Sequence, residues 1–260
     1  MKSSLKISCA LTLALLAGGA SAAPIYWTDW TGSDQDPGAG FIGSGTITTP
    51  TSTVTVTYTN PQGVAFYQPS GGTNFYSNGT DGPNGTSPYT SAQVDNRPPT
   101  TDIVALRYAG TQSLVFSQAI ANPVFAFVSL NLNGYGFDQD FDILSAGGAD
   151  GNACGYWGCG TSYKNVVTVN GKTEYQLLGT GEPHGTLRFT GTFDTVSWRS
   201  LSNENWNGFT LGVQETAVAF CTANPTAPQC SPVNDVPEPA SLGLFGLGLV
   251  GLLAAGRRRG

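Results

Sequence analysis

Alternation with a period of two residues is the feature that most constrains this chain. In Thr53-Val54-Thr55-Val56-Thr57-Tyr58, the residues Val54, Val56 and Tyr58 fall on one face and the threonines on the other. Successive strand side chains point to opposite sides of a sheet, so this run reads as a half-buried strand. Residues 64–67, after the turn at Asn60-Pro61, are placed as its partner. Runs at 103–108 and 113–117 flank Ala109-Gly110-Thr111-Gln112 and read as a hairpin. Residues 124–132 are nearly continuously apolar, which predicts a central strand covered on both faces. A strand at 135–144 follows. Runs at 165–169 and 172–178 are separated by Asn170-Gly171, the dipeptide suited to a type I′ hairpin. Runs at 186–190 and 195–199 bracket a further turn, and 208–214 supplies the closing strand. No segment outside the two ends carries a 3.6-residue period. The expected fold is all-β: one antiparallel β-sandwich or jelly-roll-like domain.

Composition narrows the partners. Charged residues make up 11% of the 260, against about 25% in typical globular domains. The apolar fraction of 40% is enough to build a core, which excludes a wholly disordered chain. Acids outnumber bases 17 to 11, so a basic nucleic-acid-binding face is excluded. A single histidine, His184, cannot build a multi-histidine metal site.

The two ends are addresses rather than fold. Lys2 and Lys6 precede an apolar run, and Ala20-Ser21-Ala22 then places small residues before Ala23-Pro24. This is the pattern of a Sec-type signal peptide over 1–22, cleaved between Ala22 and Ala23 with Ala20 at −3. The other end reads Val236-Pro237-Glu238-Pro239, an apolar stretch over 240–256, then Arg257-Arg258-Arg259. At ~1.5 Å per residue that stretch matches a short single transmembrane helix. The arginines hold the tail on the cytoplasmic side, which places the main chain outside.

Pro-Glu-Pro, a short Gly/Leu-rich helix and a terminal arginine cluster together resemble the PEP-CTERM sorting signal. The resemblance implies export by the Sec machinery in a Gram-negative bacterium. It also implies processing near Pro237-Glu238-Pro239 by an exosortase, a membrane cysteine transpeptidase. The protein would be held in the inner membrane by the tail helix until then. Such proteins accompany exopolysaccharide and biofilm matrix, at the cell envelope or outside it. A second likeness covers about 90 residues. His184-Gly185-Thr186, Ser197-Trp198 and Trp206-Asn207-Gly208-Phe209-Thr210 are similar to an ectodomain type recurring in these proteins. It implies a shared fold and brings no activity with it. Asn207 stands where the pattern has histidine.

Between the ends, residues 23–215 form the expected β-sandwich ectodomain and 216–235 a Pro-rich linker. Residues 69–101, rich in Gly, Ser, Thr, Asn and Pro, read as a long surface loop. From 23 to 235 there are 6 bases and 16 acids, a balance of −10 against −6 for the whole chain. Cys9 leaves with the leader. Cys154, Cys159, Cys221 and Cys230 remain, an even number in an oxidising compartment. Of three connectivities, nearest-neighbour pairing is the expectation, Cys154–Cys159 and Cys221–Cys230. A four-cysteine zinc site is disfavoured because neither pair has CxxC spacing.

Three groups of residues bear on chemistry. Asp138, Asp140 and Asp142 would share one face of a strand, either as a solvated face or as an oxygen-rich Ca²⁺ site. Glu182, Asp194 and Glu204 are the carboxylates available for glycoside cleavage, which needs two about 5–9.5 Å apart. His184 reads as a turn or core-edge residue, and no Gly-x-Ser-x-Gly elbow supports a triad. Among five tryptophans, Trp157 lies between Cys154 and Cys159 in a Gly-rich loop that can present it to a sugar ring. Trp198 and Trp206 are placed in the core. The function expected from these features is a non-enzymatic structural or glycan-associated role, with no cofactor unless Ca²⁺ binds. The alternatives are a polysaccharide hydrolase or lyase using Glu182 and Glu204, and a calcium-dependent adhesion module.

Overall fold

A computed structural model describes residues 22–230 apart from 35, 80, 82–85 and 132. The leader, the sorting motif, its apolar stretch and its arginines lie outside the described residues. Among those described, no helix is long and apolar enough to cross a membrane.

The chain opens with β1 (Tyr26–Trp27), β2 (Asp29–Ser33), β3 (Phe41–Thr48), β4 (Thr53–Asn60) and β5 (Phe66–Gln68). It continues with β6 (Ile103–Leu106), β7 (Gly110–Ala121), β8 (Val124–Val128), β9 (Gly134–Phe137) and β10 (Phe141–Ala146). Then come β11 (Gly160–Val169), β12 (Lys172–Gly181), β13 (Gly185–Phe189), β14 (Thr192–Ser200), β15 (Asn207–Val213) and β16 (Glu215–Thr216). They form two sheets packed as a sandwich. The seven-stranded sheet has the order β10-β13-β8-β15-β6-β5, with β1 beside β15. The nine-stranded sheet has the order β11-β12-β9-β14-β7-β4-β3-β2, with β16 beside β7. Every pairing between these strands is antiparallel.

The Asn-Gly hairpin forms as the sequence predicts. Asn170 and Gly171 take φ of 51° and 77°, and β11 pairs with β12 along its whole length. Positive φ at both positions matches the right-handed twist of the flanking strands, and glycine adopts it without a Cβ clash. Residues 124–132 also behave as expected at their start: β8 is buried at every position, between β13 and β15.

Two other expected pairings, and the turn expected between 190 and 195, are corners between sheets. β6 pairs with β5 and β15, whereas β7 lies in the opposite sheet. β13 and β14 are divided in the same way, and β4 pairs with β3 and β7 rather than with β5. The single strand expected at 135–144 is two, β9 and β10, one in each sheet. A corner uses the same turn residues as a hairpin. Both flanking strands still alternate, because both bury one face in the shared core. The alternation therefore marks each strand without marking its partner.

Two apolar cores result. Inner faces of both sheets enclose Trp30, Tyr58, Phe125, Phe127, Phe137, Trp198 and Phe209, among others. The second core lies on the outer face of the seven-stranded sheet, with Val124, Ala126, Val128, Ile103, Ile25 and Trp27. It is closed by the segment expected as a surface loop at 69–101. Tyr76, Tyr89 and Val94 of that segment are fully buried. The cover is held by polar contacts. Asn96 accepts from the Ile25 N–H at 2.7 Å and donates to its carbonyl at 3.0 Å. Arg97 pairs with the enclosed Asp81 at 2.7 Å and donates to the Tyr76 carbonyl. A segment without regular structure can be buried only if its backbone polar groups find such partners.

The ordered chain also runs past residue 215, into the span expected as linker. The Thr216 hydroxyl accepts from Ala219 N–H and caps α1 (Ala217–Ala223), which packs on β7. Gln229, in the 3₁₀ turn Pro228–Cys230, donates to Asn122. A disulfide joins Cys221 to Cys230.

Candidate functional site

The second disulfide, Cys154–Cys159, closes a five-residue reach between β10 and β11. Its loop is pinned on two sides. Asn78 of the cover donates to the Cys154 carbonyl at 2.9 Å, and Gly155 lies flat on the His184 ring. A Cβ at Gly155 would stand 2.1 Å from His184 Cγ, so only glycine fits there.

Held in this way, the loop presents Tyr156 and Trp157 to solvent, 38% and 51% exposed. They do not stand alone. Phe75 of the cover stacks on Trp157 with centroids 6.5 Å apart and meets Tyr156 edge-on at 5.2 Å. Trp206, from the loop before β15, meets Phe75 at 4.9 Å and Trp157 at 6.3 Å. Phe66 of β5 lies beneath, 5.1 Å from Trp206. Three segments far apart in sequence thus build one aromatic platform. Trp206 is half-buried in it and does double duty as a packing residue of the outer core. Trp198, by contrast, is buried between the sheets.

Two carboxylates border the platform. Glu182 follows β12, with its Cβ and Cγ 4.0 Å from the Cβ position at Gly158, next to Trp157. Its oxygens accept from the Ser129 hydroxyl and from Asn131 Nδ2, the latter at 2.7 Å. Ser129 takes φ of 53°, a left-handed conformation uncommon outside glycine, to make this contact. Glu204 lies two residues before Trp206. Its carboxyl oxygens are enclosed, with the buried Asn207 side chain beside them. Burial pushes Glu204 up to about 7. The Asn207 side chain partly offsets the effect and the charge of Glu182 adds to it. The sheet corner thus brings Glu182 and Glu204 within electrostatic reach of each other. Asp194 is exposed at the bulge in β14, in the nine-stranded sheet.

His184 is fully buried, and its Nδ1 shares a hydrogen bond of 3.0 Å with the Tyr89 hydroxyl. Its Nε2 is enclosed without a partner, and burial lowers its pKa to about 4. It therefore ties the cover to the sheet as a neutral ring, and Tyr89 is its recorded side-chain hydrogen-bond partner among the described residues.

The three aspartates do not share a strand face. Asp138 lies in the bend after β9, Asp140 just before β10 and Asp142 within it, because the chain changes sheet there. Asp140 accepts from Lys164 at 2.8 Å and Asp142 faces Arg188 at 3.6 Å. Among the described residues, no three His, Cys, Asp or Glu side chains are grouped to hold a metal ion.

Fold and site together define a disulfide-stapled β-sandwich with a partly exposed aromatic cluster, carried on a chain whose tail is a sorting address. The PEP-CTERM protein-sorting motif matches residues 235–259, so the chain is an exosortase-sorted exported protein. That motif implies recognition by exosortase and a place at the cell envelope or surface. Compared with curated proteins and with solved structures, the chain matches none.

Proposed function

We propose that the sandwich is a non-catalytic, glycan-associated component of the cell surface or extracellular matrix, in an exopolysaccharide or biofilm setting. It would contact polymer through Tyr156 and Trp157. The observation that carries this reading is the exposed aromatic platform. Large flat apolar faces are rarely left to solvent without use, and indole and phenol rings stack on sugar C–H faces while offering a polar edge. The test is retention of the full chain on the extracellular polysaccharide of its own host. Binding that Trp157→Ala weakens by about tenfold supports the reading. No retention, or retention indifferent to Trp157→Ala, overturns it.

A second reading rests on the nearness of Glu182 and Glu204. A carboxyl poised near neutrality beside a second carboxyl is the arrangement of a general acid and its partner in glycoside cleavage. Against it, the Glu204 oxygens are enclosed, out of reach of a glycosidic oxygen. Release of reducing ends from the same polymer, lost in Glu204→Gln, would favour catalysis over binding.

A further inference from the structure

The charge around the platform bears on which sugars it can take. Of its five rings, Tyr156 and Trp157 are the exposed ones. The negative ring face attracts a cation. Glu182 and Glu204 add two carboxyls, and the exported stretch from 23 to 235 carries −10. Among the described residues, the cation bound to the 201–206 loop is Arg107. Its Nε donates to the Asn205 carbonyl at 3.1 Å, and its own carbonyl accepts from Glu204 N–H. No ion pair recorded for the described residues includes Glu182 or Glu204. Asn207, fully buried, accepts from the Tyr135 hydroxyl and turns its side chain toward Glu204. Glu182 is thus held by neutral donors, Ser129 and Asn131, and no cation offsets its charge among the recorded ion pairs.

We infer that the platform takes a cationic glycan, one whose sugars carry free amino groups, with the ring stacked on Trp157 and the ammonium held by Glu182. This rests on the platform being a glycan contact. An anionic polymer is repelled by the domain's charge, and a neutral one brings no counter-charge to Glu182. An ammonium over an indole face and beside a carboxylate gains from both.

Glu204 gives the site a second signature. Glu182, Asn207 and Tyr135 are the groups that act on it electrostatically. Burial is the main reason Glu204 holds its proton and the Glu182 charge a lesser one, so a cation settled on Glu182 weakens that hold and binding near pH 7 releases a fraction of a proton into solvent.

The experiment is calorimetry with the full chain in detergent, using oligomers of β-1,4-linked glucosamine, their fully N-acetylated counterparts, and oligolysine. Glucosamine oligomers are expected to bind at least about tenfold more tightly than both others. Heats measured in buffers of different ionisation enthalpy should show proton release. Trp157→Ala and Glu182→Gln should each weaken binding by about tenfold, while Glu204→Gln should bind without releasing a proton. Equal binding of acetylated and free-amine oligomers, both lost in Trp157→Ala, overturns the amine preference and leaves the glycan contact standing. Oligolysine binding as tightly as the amino sugar shows charge alone and overturns the inference. Binding to none of the three overturns it as well, and the glycan contact then stands or falls on the host polymer. Melting curves matching the unsubstituted chain confirm that each variant is folded.

Discussion

The two faces of the seven-stranded sheet are buried by different means. The inner face meets another sheet, and Phe125 and Phe127 interlock there with Phe137, Trp198 and Phe209. The outer face carries Val124, Ala126 and Val128 from the same strand and meets a segment with no strand among its described residues. The inner core is held by aromatic packing between regular surfaces. The outer one needs a cover whose own polar groups are satisfied one by one, by Asn96, the Arg97–Asp81 pair and the Tyr89–His184 bond. The platform is built on the outer, irregular side, from the cover, the disulfide loop and the 201–206 loop. Regular sheets supply the rigidity there, and the irregular segments supply the surface.

The sharpest way to break this contrast is to damage each core alone. Phe125→Ala should cost about 3–5 kcal/mol, because the ring touches four aromatic neighbours and the cavity cannot collapse between two sheets. Denaturant unfolding should show the loss as one cooperative transition. Arg97→Met should cost about 2 kcal/mol by stranding the enclosed Asp81, a figure discounted because Arg97 is partly exposed. Its signature is local: hydrogen exchange should speed up across 69–101 while β8 stays protected. Equal loss of protection in both would mean that the two cores are one cooperative unit.

The smallest effect is a pH dependence confined to the outer side. The His184 pKa falls from 6.5 to about 4 on folding. The unfolded chain therefore binds more protons between those values, and stability falls as pH falls through that window. Between pH 6.5 and 5.5 the loss should be about 1 kcal/mol. The difference between the unsubstituted chain and His184→Asn, measured at each pH, isolates it. A flat difference would show that folding leaves the His184 pKa unchanged.

How much could be read beforehand differed by element. Burial of β8 on both faces was legible, since no alternation survives when both sides are apolar. The Asn170-Gly171 turn was legible because its backbone angles demand those residues. Corners were not, because Gly110 and Gly191 punctuate the chain whether it turns back or crosses over. Trp157 was legible as a surface residue from its place in a Gly-rich disulfide loop. Its neighbours Phe75 and Trp206 were not, because they come from segments 82 and 49 positions away, by their residue numbers. The aspartate face failed for the reason the hairpins did: one apparent strand was two.

By itself the sequence determined the address, the strand positions and which residues are apolar enough to be inside. Those are properties of contiguous runs: a Pro-Glu-Pro tail and a period of two. Tertiary structure alone decided which strands pair, what lies over the outer face, and that Glu182, Glu204, Trp157 and Trp206 share one patch. Such contacts join residues far apart in the chain. No local pattern encodes them, because their energy comes from the shared burial that only the folded sandwich provides.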